Sequence, residues 1–193
     1  MSLFEFTFGL QAIIFGLALT HLVVTLNRLV AARERVIWAA RPLLGAGAVL
    51  VTLLLAWSQA WAQREVAVTT IGEMALSTLI NLSLFAAAYA ALPEEAPEGR
   101  TTDLGAHYER MRLYFLAMFA ATWVIQGVVK PLVRIVLGSG ERFDGWDNAG
   151  VVAILAACMA VRNRWVQIVL MAGLVVWVLG TISGYRIGPS GVD

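Results

Sequence analysis

Lys130, the only lysine in the sequence, lies deep inside a long apolar run. Gln126 and Arg134 lie four residues on either side of it, so the three side chains share one face of a helix. Ionisable side chains are costly in lipid and commonly mark ion paths or ligand sites. Pro131 removes a backbone donor, which predicts a kink and leaves the Gly127 carbonyl without its usual helical partner. A kink and a free carbonyl beside Lys130 would suit a site for an ion or an anion.

A second polar stripe lies on the preceding apolar segment, where Glu73 and Asn81 share one helix face. If the two helices run in opposite directions, Glu73 lies opposite Lys130 or Arg134. Asn81 then lies opposite Gln126. The matching depths predict a polar cavity or a buried network in the outer half of a helix bundle.

Seven polar side chains are candidates for this cavity or ion path. They are Gln59, Gln63, Glu73, Asn81, Gln126, Lys130 and Arg134. The alternative is structural, because an ion pair between Lys130 and Glu73 could simply hold two helices together, with the Pro131 kink as part of the packing. Both interpretations place the same residues at the same depth.

His21 is a separate candidate in the first apolar segment. Its reference pKa lies close to neutral pH, so it could relay a proton. It could equally form a hydrogen bond to a neighbouring helix, as polar side chains do in membrane bundles. The other histidine, His107, falls at the membrane interface, so we expect no haem between the two and no other cofactor.

The composition is that of an integral membrane protein. Apolar residues make up 60% of the chain and charged residues 14%, whereas soluble domains have roughly 45–50% and about 25%. Segments of about 20 apolar residues can span a bilayer, and six candidates are present: Phe8–Val30, Leu43–Ala62, Met74–Leu92, Leu113–Leu137, Ala149–Val161 and Val166–Gly184. The fold class predicted is an all-α bundle of six transmembrane helices.

One polar stretch divides this bundle into halves. Residues 1–92 form the first three-helix half, residues 93–107 a linker rich in Pro and Glu, and residues 108–193 the second half. Prolines and acids disfavour regular structure in the linker. The two halves belong to one membrane domain, and no residue-level repeat relates them.

Arginines predict the orientation, because short cytoplasmic loops carry an excess of positive charge. The first, third and fifth connections hold most of them: Arg28, Arg33, Arg35, Arg41, Arg100, Arg110, Arg112, Arg162 and Arg164. Both termini should therefore be non-cytoplasmic. Trp38 and Trp165 would mark the inner interface and Trp61 and Trp146 the outer one, while Arg110 and Arg112 would meet lipid phosphates. Arginine and alanine usage favours a bacterial inner membrane.

Several function classes are excluded by what the sequence lacks. It contains no glycine-rich phosphate loop, no His-Glu-x-x-His and no Gly-x-Ser-x-Gly motif. Two histidines and the single Cys158 are too few ligands for a zinc or di-iron centre. A net charge of +1 argues against nucleic-acid binding. We expect neither a metal nor a catalytic set.

The function expected is a small membrane channel or transporter, with a non-catalytic accessory subunit of a larger membrane complex as the alternative. Besides the lipid bilayer, the partners expected are further copies of this chain or other chains of such a complex. Small residues at Ala12, Gly16 and Thr20, and at Gly180 and Gly184, allow close helix approach. We expect these faces to serve internal packing rather than an oligomer.

Overall fold

The computed structural model describes residues 3–62, 70–94, 101–136 and 146–184, and nearly all of them are helical. The α-helices are α1 (Leu3–Ala31), α2 (Ala40–Ala62), α3 (Ile71–Ala91), α4 (Leu104–Val124), α5 (Lys130–Val136), α6 (Trp146–Ala160) and α7 (Arg164–Gly184). A π-helical segment, Ile125–Val129, joins α4 to α5 without a break. The all-α class predicted from composition is confirmed.

Within the described ranges, five helical segments are long and apolar enough to cross a membrane. They are α1, α2, α3, the continuous 33-residue segment Leu104–Val136, and α7. The fifth predicted span forms α6, which has 15 residues and falls short of the roughly 20 that a hydrocarbon core requires. Helix α6 begins at Trp146, so the short fifth span includes residues 146–148 ahead of Ala149.

The helices form a closed ring in which α3 packs on α1 and α4, α4 on α6, α6 on α7, and α7 on α2, which returns to α1. Helix α2 also contacts α3 and α4, so it lies towards the middle. The core between them is made of fully buried side chains such as Ala48, Leu84, Phe119, Leu155 and Leu174. Alanines on α3 (Ala87 and Ala88) leave room for close approach of neighbouring helices.

One end of the bundle, the Arg41 end, gathers the first turns of three helices. Arg41 of α2 bonds to Glu109 of α4 and to Gln167 of α7. Gln167 also bonds to the carbonyl of Val161, directly after the last residue of α6. Helices α2, α4 and α7 therefore start where α6 ends.

The opposite end, the Glu73 end, holds the remaining termini. Glu73 in the first turn of α3 bonds to Arg134 in α5. Phe8 near the start of α1 lies edge-on to Trp61 near the end of α2, with ring centroids 6.0 Å apart. Successive helices thus run in opposite directions, as the matching polar stripes required.

The segment that follows α1 and the segment that precedes α4 pair with each other as two short strands. After α1, a 3-10 turn (Arg33–Arg35) leads into β1 (Val36–Ile37), which pairs in parallel with β2 (Thr102–Asp103). The Asp103 carboxylate then accepts a hydrogen bond from the Ala106 N–H at 3.0 Å and caps α4. Helix α4 therefore starts nine residues before the predicted apolar span at Leu113, inside what was expected to be linker.

Pro131 is accommodated by π-helical winding. The Lys130 N–H donates to the Ile125 carbonyl, five residues back instead of four. Wider winding relieves the clash that a proline ring makes with the preceding turn. The buried Gly127 lies within this segment against Asn148 of α6, where an added Cβ would collide with the Asn148 Cβ and lie 2.8 Å from its Nδ2.

Gly127→Ala should lower the free energy of unfolding by about 1–3 kcal/mol, because the methyl group overpacks the contact with Asn148. Thermal melting in detergent, followed by circular dichroism, measures the loss. Gly173→Ala is the matched control, since a Cβ there meets nothing within 4 Å. Combining Gly127→Ala with Asn148→Gly should restore part of the stability; a combined variant no more stable than Gly127→Ala alone would contradict this packing.

Candidate functional site

Glu73 and Arg134 form an ion pair between α3 and α5. Arg134 Nε donates to Glu73 Oε1 at 2.6 Å, and the side chains are 31% and 13% exposed respectively. Glu73 also closes a capping box, since its Oε2 accepts from the Thr70 N–H at 3.4 Å while Thr70 Oγ1 accepts from the Glu73 N–H at 3.2 Å. Both carboxylate oxygens are thus engaged, one with its own helix and one with α5.

The other residues of the predicted cavity differ in burial and in hydrogen-bond partners. Lys130, Gln126 and Gln59 are each half-buried, and Lys130 has an interaction partner. Asn81 is 4% exposed, and its Nδ2 has no hydrogen-bond partner within the described residues. Gln63 lies outside the described residues. Of the two partners expected for Glu73, the structure selects Arg134.

The polar stripe continues towards the middle of the bundle. Ser83 Oγ on α3 and Thr122 Oγ1 on α4 lie 3.0 Å apart and share a hydrogen bond. Each hydroxyl is also within hydrogen-bond distance of a carbonyl one turn back, at Ile80 and Met118. The contacts that α3 makes with α5 at the Glu73 end and with α4 nearer the centre are therefore both polar.

His21 packs flat against Tyr89, with ring centroids 3.7 Å apart and an angle of 13° between the planes. The contact joins α1 to α3. His21 Nε2 is buried and, among the described residues, has no hydrogen-bond partner. Stacking accounts for the position of the ring, and the proton relay stays a prediction. His107 Nε2 lies 3.2 Å from the Ala90 carbonyl, so the two histidines have different partners.

A polar network at the Arg41 end was not anticipated from the sequence. We call it the Arg41 network; it consists of Arg41, Glu109, Arg112 and Gln167. Gln167 has no solvent exposure. Its Nε2 donates to the Cys158 carbonyl at 3.1 Å and to the Val161 carbonyl at 2.7 Å, and its Oε1 accepts from Arg41 at 3.1 Å.

Arg112 contacts the same two carbonyls from the other side. Its Nη1 lies 3.5 Å from the Cys158 oxygen and 3.3 Å from the Val161 oxygen. The last carbonyls of a helix have no partner within the helix, and in lipid they need one. Arg112 and Gln167 together supply these donors at the end of α6. The expectation that Arg112 meets lipid phosphates is wrong, since this side chain is buried.

Charge balance in the network depends on Glu109. Its carboxylate pairs with Arg41 and lies 3.9 Å from Arg112 Nε. The Arg41 guanidinium also lies 5.0 Å above the Tyr108 ring, which is a cation–π distance. Tyr108 is 3% exposed, and its hydroxyl is without a partner in the described part of the chain. Four helices meet in this network: α2, α4, α6 and α7.

One feature of the sequence points to this network. Gln167 is a lone amide in an apolar run, one turn after the Arg162–Arg164 hairpin. For Arg41 and Arg112 the sequence predicts only a position on the cytoplasmic side, although each lies beside apolar residues. Only the packing of α4 against the end of α6 shows that Arg112 turns inward.

No three His, Cys, Asp or Glu residues within the described ranges come close enough to hold a metal ion. The polar groups at the Glu73 end can pair, bind or transfer an ion, and those at the Arg41 end bond to backbone. Searches against protein-family models, curated proteins and solved structures found no match to this chain.

Gln167→Met should lower the free energy of unfolding by about 1–3 kcal/mol, because it removes three hydrogen bonds from a fully buried position at nearly constant volume. Melting in detergent measures the effect. Gln11→Met is the control, since Gln11 is half-buried on α1 and takes no part in the Arg41 network. Equal melting temperatures for the two variants would contradict a stabilising role for Gln167.

Proposed function

We propose that this chain is a small integral membrane channel or transporter and that its solute passes a polar site at the Glu73 end. The observation that supports this most is the Glu73–Arg134 ion pair at the end of a helix that changes to π winding. Ionisable groups within membrane segments are rare and tend to mark pathways. π-helical turns are likewise concentrated at functional sites.

The π segment offers a way to open the ion pair. A π turn holds about one residue more than an α turn, and one residue corresponds to roughly 100° of rotation about the helix axis. Conversion of Ile125–Val129 to α winding would therefore rotate Arg134 away from Glu73. Pro131 opposes this conversion, because α winding restores the clash with the preceding turn. The ion pair and the proline thus hold one state, and a solute that competes for Arg134 favours the other.

Local charge favours an anion as the solute. Lys130 and Arg134 provide two positive charges on one helix face, while Glu73 is the negative group seen to contact Arg134. The Asn81 amide nitrogen, which has no partner among the described residues, lies deeper on α3 and can donate a hydrogen bond to an anion or to its water. Gln126 and Gln59 are half-buried amides that extend the same lining in this proposal.

The proposal includes a topology of six crossings with both termini outside the cytoplasm of a bacterial inner membrane. Alternating helix directions support it, as do the arginines and the exposed Trp38 and Trp165 at the Arg41 end. Helix α6 would cross by local thinning of the bilayer, since a short helix can be accommodated at modest cost.

We further propose that the chain forms a homo-oligomer. Gly16 is exposed, and a Cβ built there meets nothing within 4 Å among the described residues. At Gly16 the expectation of internal packing is wrong. Small residues on open helix faces suit contact between copies in lipid.

A second function is favoured by the completeness of the internal pairing. Glu73 has partners for both oxygens, and the Arg41 network satisfies the end of α6 within the chain. Such pairing suits an accessory subunit that packs against a larger membrane complex, with no transported solute. The two proposals differ in whether the isolated chain conducts.

Lys130→Met should reduce chloride efflux from proteoliposomes at least tenfold, because losing one positive charge in a low-dielectric path raises the barrier by more than about 1.4 kcal/mol. Efflux is driven by a potassium gradient with valinomycin and followed by a chloride electrode. Arg162→Gln, which removes an exposed arginine at the Arg41 end, is the control and should conduct like wild type. Wild-type efflux equal to that of empty liposomes would refute transport of chloride. A second chain retained in fixed ratio by native mass spectrometry would then favour the accessory subunit.

Single cysteines test the topology. In a Cys158→Ala background, Thr101→Cys and Asn163→Cys should react with a membrane-impermeant maleimide only from the cytoplasmic side, and Ile71→Cys only from the outer side. All three positions are exposed, whereas Cys158 is fully buried. Labelling of Asn163→Cys and Thr101→Cys from opposite sides would show that α6 does not complete a crossing.

A further inference from the structure

A cavity of about 460 Å³ lies where α1 ends. Its lining includes Asn27 and Val30 of α1 and all three residues of the 3-10 turn, Arg33, Glu34 and Arg35. The three charged residues are exposed. None of the ion pairs or side-chain hydrogen bonds found in the described ranges involves them. Their charges are therefore open to a ligand.

The cavity lies at headgroup depth if α1 crosses a bilayer. The apolar span Glu5–Ala31 ends directly before the charged turn. Ile37 and Trp38 follow within three residues of the turn and are 54% and 42% exposed. Tryptophan is enriched at the membrane interface. The charges thus lie beside groups suited to the boundary between hydrocarbon and headgroups.

The order of charges in the turn is positive, negative, positive. Guanidinium groups bind phosphate oxygens through paired, charge-assisted hydrogen bonds. A carboxylate between them would repel a phosphate but can accept hydrogen bonds from a primary ammonium group. We propose that the cavity binds the phosphoethanolamine headgroup of a membrane phospholipid, with the phosphate at Arg33 and Arg35 and the ammonium at Glu34.

An apolar stripe on α1 continues from the cavity along the helix. Leu19, Val23, Leu26 and Val30 are 39%, 55%, 42% and 48% exposed. Their spacing of four, three and four residues places them on one helix face, and Val30 also lines the cavity. The stripe is roughly 16 Å long. It offers a lipid acyl chain a continuous apolar surface that starts at the headgroup cavity.

Two other headgroups fit less well. Phosphocholine carries a quaternary ammonium group, which has no N–H to donate to Glu34. Phosphoglycerol has the phosphate alone, so Glu34 would oppose it. The nearest other arginine, Arg28, donates to the Glu94 carbonyl at 3.4 Å and is absent from the cavity lining. The proposal therefore rests on Arg33, Glu34 and Arg35 and does not depend on transport.

The experiment is native mass spectrometry of the full chain released from nanodiscs that contain phosphatidylethanolamine, phosphatidylcholine and phosphatidylglycerol in equal amounts with identical acyl chains. We expect the retained lipid to be phosphatidylethanolamine, enriched about fivefold over each of the others. Equal retention of phosphatidylethanolamine and phosphatidylcholine, or a preference for phosphatidylglycerol, would overturn the assignment of Glu34 to an ammonium group.

Variants separate the two charges of the headgroup. Glu34→Gln should abolish the preference for phosphatidylethanolamine over phosphatidylglycerol while lipid is still retained. Arg33→Gln combined with Arg35→Gln should reduce retention of all three lipids. Arg162→Gln removes an exposed arginine from another connection and should retain lipid like wild type. Circular dichroism checks that each variant is folded, and a wild-type lipid profile in both cavity variants would overturn the proposal.

Discussion

The end of α6 imposes the strictest demand on this structure, because helix-terminal carbonyls at the edge of a membrane need donors that lipid does not offer. Gln167 and Arg112 satisfy it from two neighbouring helices. Arg41 then fixes Gln167, and Glu109 offsets the two arginines. A single set of hydrogen bonds thus joins four helices, and it supplies the donors for the end of the short α6.

At the Glu73 end, polar groups are also paired within the bundle, but through side chains instead of backbone carbonyls. Its ion pair joins two side chains, and the backbone beside it departs from α winding. A network anchored on backbone carbonyls cannot rearrange without exposing them, whereas an ion pair between side chains can separate if each charge finds another partner. In the proposed mechanism, the Arg41 end is therefore the fixed part of the bundle and the Glu73 end is the part that changes.

The Glu73–Arg134 contact could be predicted from the sequence, because helical spacing and opposite helix directions determine which charges lie at the same depth. The all-α class could also be predicted, since the composition and the length of the apolar segments are properties of the sequence alone. The roles of Arg112 and Gln167 depend on where α6 ends beside α4. The sequence therefore predicts contact with lipid phosphates for Arg112 and no role for Gln167. Gly16 was expected to pack internally, yet its face is open. Local sequence shows the periodicity of a helix but does not show which residues of other helices will contact it.

The π segment connects these observations to function. Proline in a membrane helix is tolerated when neighbouring groups or altered winding satisfy the freed backbone, and here Lys130 N–H reaches the Ile125 carbonyl. Close packing of Gly127 on Asn148 ties that winding to α6, whose other end is held by the Arg41 network. A rotation of α5 that opens the Glu73–Arg134 pair must therefore shift the contact with α6 as well. In the proposed mechanism α6 stays anchored at its far end, so the rotation of α5 changes one end of the bundle and leaves the other end intact.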